Sequence, residues 1–289
     1  MKVAVITDSN SGFTQKTAKE AGVFCMDMPV IIDGENYIQD VNLTREFFYE
    51  CLTSGKAVTT SQPAPGDVMK MWDDVLALGY DEIVHIPMSS GLSMSCSTAK
   101  MLAEDYDGKV EVVDNHRISA TMTQSVYDAK TMAEKGYSAK KIRERLEETA
   151  YDSSIYIAVD TLEYLKRGGR VTAAGAALGT ALGIKPILTI QGGKLDAYAK
   201  VRGMKKCESK VISAIKKDVE TRFSQYNKDE LFIFTAGTLM TIDEEIDWNE
   251  AVKAAFPDMD VRYYPLSLSI GVHIGPGSLA VGLARVVNE

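Results

Sequence analysis

The chain has 289 residues, 45% of them hydrophobic and 25% charged, with a formal net charge of −8. This is ordinary globular composition with enough length for one large or two medium cores, and its acidity argues against general binding to nucleic acid or to an anionic membrane surface. Cys25, Cys51, Cys96 and Cys207 make no CxxC pair and have no histidine at zinc-ligand spacing, so they read as buried reduced thiols and not as a metal site.

The N-terminal run 3–7 reads as a buried strand that meets an acid, not as a signal peptide. The cluster Asp8-Ser-Asn-Ser-Gly12 then suits a turn and a cap for a helix over 14–21. A second apolar segment, 23–32, is broken by Pro29 and turned at Asp33-Gly34. Thr44 suits the cap of a helix carrying Phe47, Phe48, Cys51 and Leu52. Val68, Met71, Trp72, Val75 and Leu76 follow helical spacing, with Gly79 as the stop. A strand over 82–87 leads into Ser89, Ser90, Ser93, Ser95 and Ser97 and then a helix to Tyr106. Residues 110–113 form a short strand, and Ser138 opens a helix with Ala139, Ile142 and Leu146 on one face. This alternation predicts a mostly parallel sheet flanked by helices.

The second half changes character. A strand over 155–159 is followed by a short helix stopped at Gly168-Gly169 and a small-residue helix over 173–183. Residues 186–190 and 195–201 flank Gln191-Gly-Gly-Lys194, a hairpin signal. A helix carries Val211, Ile212, Ile215 and Val219, and strands at 231–236 and 261–266 surround a helix near 243–256. The expectation is two α/β domains, 1–153 with a mostly parallel sheet and 154–289 with a mixed sheet. No apolar run is of membrane-spanning length, so a soluble cytoplasmic protein is expected, not an integral membrane protein.

Three segments carry polar chemistry. The serine loop joins a strand end to a helix N-terminus, where free amides and the helix dipole favour an anion. Thr59-Thr60-Ser61-Gln62-Pro63 also precedes a helix, and α/β sheets place ligands at such strand ends. Gly271-Val-His273-Ile-Gly-Pro-Gly277 holds a histidine, one of only three, between a strand and a rigid turn. Gly91-Leu-Ser93-Met-Ser95 narrowly misses the GxSxG nucleophile elbow, so a serine hydrolase using Ser93 and His273 is the alternative reading. Arg170 and Lys200-Val-Arg202, with Lys166, Arg167, Lys205 and Lys206, are the basic concentration, suited to a phosphate or an acidic partner. The chain contains no GxxxxGK[ST] loop and no GxGxxG after the first strand, so nucleotide binding by this chain is unsupported in sequence.

In order and spacing these segments resemble the DegV family of bacterial fatty-acid-binding proteins. Ile6-Thr-Asp-Ser9, Thr60-Ser-Gln-Pro63, Ser89-Ser-Gly-Leu-Ser93, Val159-Asp-Thr-Leu-Glu-Tyr-Leu-Lys-Arg-Gly-Gly-Arg170, Ile184-Lys-Pro-Ile187 and Gly271-Val-His-Ile-Gly-Pro-Gly277 carry the likeness over nearly the whole chain. The resemblance implies a long-chain, palmitate-like fatty acid between two domains. Its carboxylate would be held by hydroxyls of Ser61, Thr60 and Ser93, with His273 near the head group. It also implies a non-enzymatic carrier without cofactor or metal, which presents the acid to the separate ATP-binding subunit of a fatty-acid kinase. Arg170 and Arg202 would then contact the acyl phosphate or the partner. Met94-Ser95 departs from the family pattern, which continues with Gly-Thr at that point.

Overall fold

A computed structural model describes residues 1–179 and 183–287. In the first half, β1 (Val3–Asp8), α1 (Gln15–Ala21), β2 (Phe24–Met26), β3 (Val30–Ile32), β4 (Glu35–Tyr37), α2 (Arg45–Thr53) and β5 (Val58–Thr60) come first. Then follow α3 (Pro65–Ala77), β6 (Glu82–Ile86), α4 (Ser95–Ala103), β7 (Val110–Val112), α5 (Ser119–Glu134) and α6 (Ala139–Glu148). The second half runs β8 (Ser153–Ala158), α7 (Glu163–Gly168), α8 (Ala173–Ala177), β9 (Ile184–Ile190), β10 (Asp196–Arg202), α9 (Met204–Glu220) and β11 (Leu231–Gly237). It ends with α10 (Ile242–Ala255), β12 (Asp260–Tyr263), α11 (Leu268–Ile274) and β13 (Leu279–Arg285).

The first sheet is parallel in the order β2-β1-β6-β7. Its central strand β1 is buried along its whole length, as a strand covered on both faces must be. The second sheet is mixed, in the order β10-β9-β8-β13-β11-β12, with only β11 and β12 parallel. A third, antiparallel sheet, β4-β3-β5, was not anticipated. The apolar segment around Pro29 supplies one strand to the first sheet and one to the third, and β5 delivers Thr60 to its end.

Local chemistry sets the helix starts that the sequence marks. Thr14, Thr44 and Ser138 each accept a hydrogen bond from a first-turn amide, and Pro65 opens α3 at the position where its missing N–H costs nothing. Of the helix expected over 173–183, α8 forms only at its start, Leu178, Gly179 and Gly183 are not helical, and residues 180–182 lie outside the described residues.

Two expectations are corrected, and two elements went unmarked. His273 does not follow a strand: it sits in the last turn of α11, because Ser267 caps a helix there and Gly275 ends it. The strand expected over 261–266 stops at Tyr263. The long α5 and the final strand β13 carry no mark in the sequence reading, although both lie at the centre of the molecule. A single apolar cluster packs α5 residues Met122, Val126 and Ala129 against Val84 and Ile86 of the first sheet and Ile155, Phe234 and Ala280 of the second. Among the described residues, no helix is long and apolar enough to cross a membrane.

Candidate ligand-binding site

At the C-terminal edge of the first sheet, the Asp8 carboxylate accepts hydrogen bonds from the Asn10 and Met88 amides, both at 2.8 Å. It thereby joins the loops that leave β1 and β6. Burial raises its pKa to about 6, against the pull of those two bonds. Ser89 then ties the serine loop across to the other sheet. Its amide donates to the Arg117 carbonyl at 2.9 Å, and its hydroxyl donates to the Gly192 carbonyl at 3.0 Å. Gly91 makes that approach possible, since a Cβ there would lie 2.8 Å from the Cα of Gly193 in the β9–β10 turn.

Between these edges lies a cleft, partly open to solvent. Thr60, Ser61, Gln62, Ser93, Arg170 and His273 are among its polar residues. Most of the remaining wall is apolar and comes from both halves of the chain: Leu92 and Ile118 on one side, Ile155, Ile157, Leu195 and Phe234 on the other. Thus Thr60, Ser61, Ser93 and His273, expected from sequence to share a site, all line one cavity.

Thr60 Oγ1 and His273 Nε2 lie 2.8 Å apart. His273 Nδ1 is buried without a partner against Gly168, where any Cβ would collide with the ring. Burial, reinforced by the nearby Arg170 charge, lowers the His273 pKa to about 4, so the ring is neutral at pH 7. A buried N–H without an acceptor is costlier than a buried lone pair, which assigns the proton to Nε2. Nε2–H then donates to Thr60 Oγ1, and the Thr60 hydroxyl hydrogen is left to point at a ligand.

Ser93 Oγ accepts from the Ser95 amide at 3.1 Å, so it satisfies the first amide of α4 while keeping its own hydrogen for the cavity. It makes no hydrogen bond to His273, and no carboxylate partners His273 Nδ1. Met94 has helical dihedrals, φ −74° and ψ −7°, and is 67% exposed. The backbone therefore has no need of glycine there, and the side chain leaves the cavity free. Ser95 instead lines a small neighbouring cavity with Asp8 and His85.

The two arginines part company. Arg170 lines the cleft and donates from Nε to the Leu92 carbonyl at 3.3 Å and from Nη1 to that of Gly168. Its carbonyl accepts from the Leu195 amide, just before β10 begins. Arg202 is exposed at the opposite end of that 7-residue strand, roughly 23 Å away at about 3.3 Å per residue. Arg167 pairs with Glu163 and Lys205 with Glu208, while Lys200 and Lys206 face solvent.

Sequence reasoning passed over Asn10, Gln62 and Ser269, which also line the cleft. Asn10 Oδ1 accepts from the hydroxyls of Ser267, at 3.1 Å, and Ser269, and its Nδ2 donates to Met88 Sδ. It therefore anchors the start of α11, the helix that carries His273. Gln62 accepts from Thr98 Oγ1 at 3.3 Å. Both stand inside segments singled out for their hydroxyls, but an isolated amide in a turn gives no sign of its partners. Among the described residues, no cluster of three or more histidine, cysteine or acidic side chains could hold a metal ion.

A family model described as "Uncharacterised protein, DegV family" matches residues 2–286. The chain belongs to the DegV family. A DegV domain-containing protein of Deinococcus radiodurans is 31% identical over 287 residues, spanning 98% of each chain. The DegV fold is shared with a solved Thermus thermophilus structure described as fatty acid binding of a DegV family protein. It superposes with a TM-score of 0.88 at 28% identity, covering 99% of this chain and 100% of that one. A fatty acid binding DegV family protein from Streptococcus agalactiae gives 0.86 at 25% identity, with 99% of each chain covered.

Proposed function

We propose that this DegV protein binds a long-chain fatty acid between an N-terminal unit, 1–153, and a C-terminal unit, 154–289. The carboxylate is held by the hydroxyls of Thr60, Ser61 and Ser93, with neutral His273 orienting Thr60. The observation that carries this reading is the Thr60–His273 pair at the polar end of an otherwise apolar cleft. Two DegV relatives of known structure are described as fatty acid binding, which supports the same ligand class. Each buried methylene contributes about 0.8 kcal/mol, so a long tail supplies most of the affinity. The hydroxyl bonds to a charged head group, roughly 1.5–3 kcal/mol each, chiefly fix its orientation.

The carrier would present this fixed carboxylate to a separate ATP-binding kinase subunit for acyl-phosphate formation. That step rests on the family resemblance and on the lack of a phosphate-binding loop in the sequence. Arg170, beside the head group, is suited to the acyl phosphate. Arg202, far along β10, is suited to contact with the partner. The hydrolase alternative has less support, since Ser93 and His273 share no hydrogen bond.

Native mass spectrometry of the purified protein followed by lipid extraction tests the ligand class. Bound fatty acid is expected, and it should exchange more readily in Ser93→Ala, with a loss of affinity of about tenfold. Covalent labelling of Ser93 by a fluorophosphonate, with no lipid recovered, would favour the hydrolase.

A further inference from the structure

Helix α5 begins in the wall of the cleft, and its first turn has no cap. Ile118 stands at the N-cap and offers no side-chain acceptor. Among the described residues, the amides of Ser119, Ala120 and Thr121 find no hydrogen-bond acceptor, although these residues are only 7%, 1% and 1% exposed. Buried amides at a helix start are ordinarily satisfied by a cap, water or a ligand. Ser119 itself lines the cleft, is more than nine-tenths buried, and among the described residues its hydroxyl has no hydrogen-bond partner. Thr121 gives no help, since its hydroxyl donates to the Ile118 carbonyl. No hydrogen bond joins Ser119 to Thr60, Ser93 or His273, and Ser119 reaches the cleft from α5, an element that carries none of those three.

We propose that the N-terminus of α5 and Ser119 form a second polar subsite, which takes a hydroxyl or keto oxygen carried on the acyl chain. The inference rests on the reading of the cleft as an acyl pocket. Outward amides and the positive end of a 16-residue helix favour an acceptor atom. The apolar wall of the cleft, to which Ile118, Ile155 and Phe234 contribute, favours a neutral oxygen over a second carboxylate, whose desolvation costs more. A chain oxygen at the matching position would satisfy donors that an unsubstituted tail leaves bare, and at other positions it would be buried unpaired.

The test compares octadecanoic acid with its positional hydroxy isomers in delipidated wild-type protein and in Ser119→Ala. One isomer is expected to bind wild type at least as tightly as octadecanoate and to lose roughly tenfold in the variant, while octadecanoate changes by less than about twofold. That isomer should also shift the Ala120 and Thr121 amide resonances more than octadecanoate does. Should Ser119→Ala fail to fold, Ser119→Gly removes the same hydroxyl on a backbone at φ 56° that glycine adopts freely. If octadecanoate binds but every hydroxy isomer is rejected, or the variant weakens both ligand types equally, the subsite is wrong and the acyl pocket stands. If octadecanoate itself does not bind, the pocket reading fails and the subsite falls with it.

Discussion

Burial holds His273 and His85 neutral by lowering both pKa values to about 4. An unfolded histidine takes up its proton near pH 6.5, so between pH 6.5 and 4 the unfolded chain binds more protons at these sites. Their contribution to stability is complete above pH 6.5 and is lost as the pH falls through that window. Asp8 and Asp128 act in the opposite sense, raised by burial from 3.8 to about 6 and about 7. In the folded protein they keep protons that the unfolded chain releases near pH 3.8, so their contribution is complete below that pH and declines as the pH rises towards 6 or 7. The two pairs offset one another, and wild-type stability should vary little from pH 7 to pH 4. Asp128→Asn keeps an acceptor for the Gln124 side chain and the Val287 amide while removing one titration. Urea denaturation across this range should show the variant losing on the order of 3 kcal/mol more than wild type on acidification. Parallel profiles would refute the assignment of Asp128 as a protonated acid.

Helix α5 shows which elements a sequence declares and which it conceals. α3 faces water on one side, so its apolar residues recur at helical spacing and the sequence reveals it. α5 is buried on nearly all sides between the two sheets, so no polar face gives the spacing contrast. The hydroxyls of Thr121, Thr123 and Ser125 find acceptors inside the protein instead. Thr123 Oγ1 donates to the carbonyls of Ser11 and Ser119, and Ser125 Oγ donates to that of Thr121 while accepting from Asn115. The site divides in the same way. Ser93, Thr60 and His273 stand out because hydroxyls and a rare histidine meet at turns. The Thr60–His273 bond spans 213 residues, and no local pattern encodes it. Nor does the sequence tell that Gly168 is bare because His273 lies against it. Thr123→Val keeps the shape of the side chain but leaves the Ser11 carbonyl in a buried loop without that donor. A loss of about 1–2 kcal/mol in chemical denaturation is expected, with faster amide exchange around residues 9–12. A neutral substitution would mean that the loop is held by its other bonds alone.

Across the whole molecule, the cleft is walled by Leu92 and Ile118 from the first half and Ile155, Leu195 and Phe234 from the second. On the proposed reading a tail lying there would replace water against both sheets at once, so ligand binding would add to the contact that already joins the two halves. A ligand at 100 times its Kd stabilises the folded state by about 2.7 kcal/mol, and the delipidated protein should melt correspondingly lower. The dependence on tail length is the sharper measurement, because the head group stays constant while only apolar burial changes. In a saturated series from octanoate upwards, each two-carbon step should strengthen binding by about 1.6 kcal/mol at most, until the tail fills the space under Phe234 and Ile155. Beyond that length the increment should vanish or reverse, since additional methylenes must displace packed side chains or extend into water. Ser93→Ala should shift the whole series to weaker binding by a constant amount and leave the slope unchanged, because on the proposed reading the hydroxyl touches only the shared head group. A series without slope would place the acid outside the cleft. A slope that changes in Ser93→Ala would mean that head and tail do not bind independently, and the division of the pocket into a polar end and an apolar body would have to be abandoned.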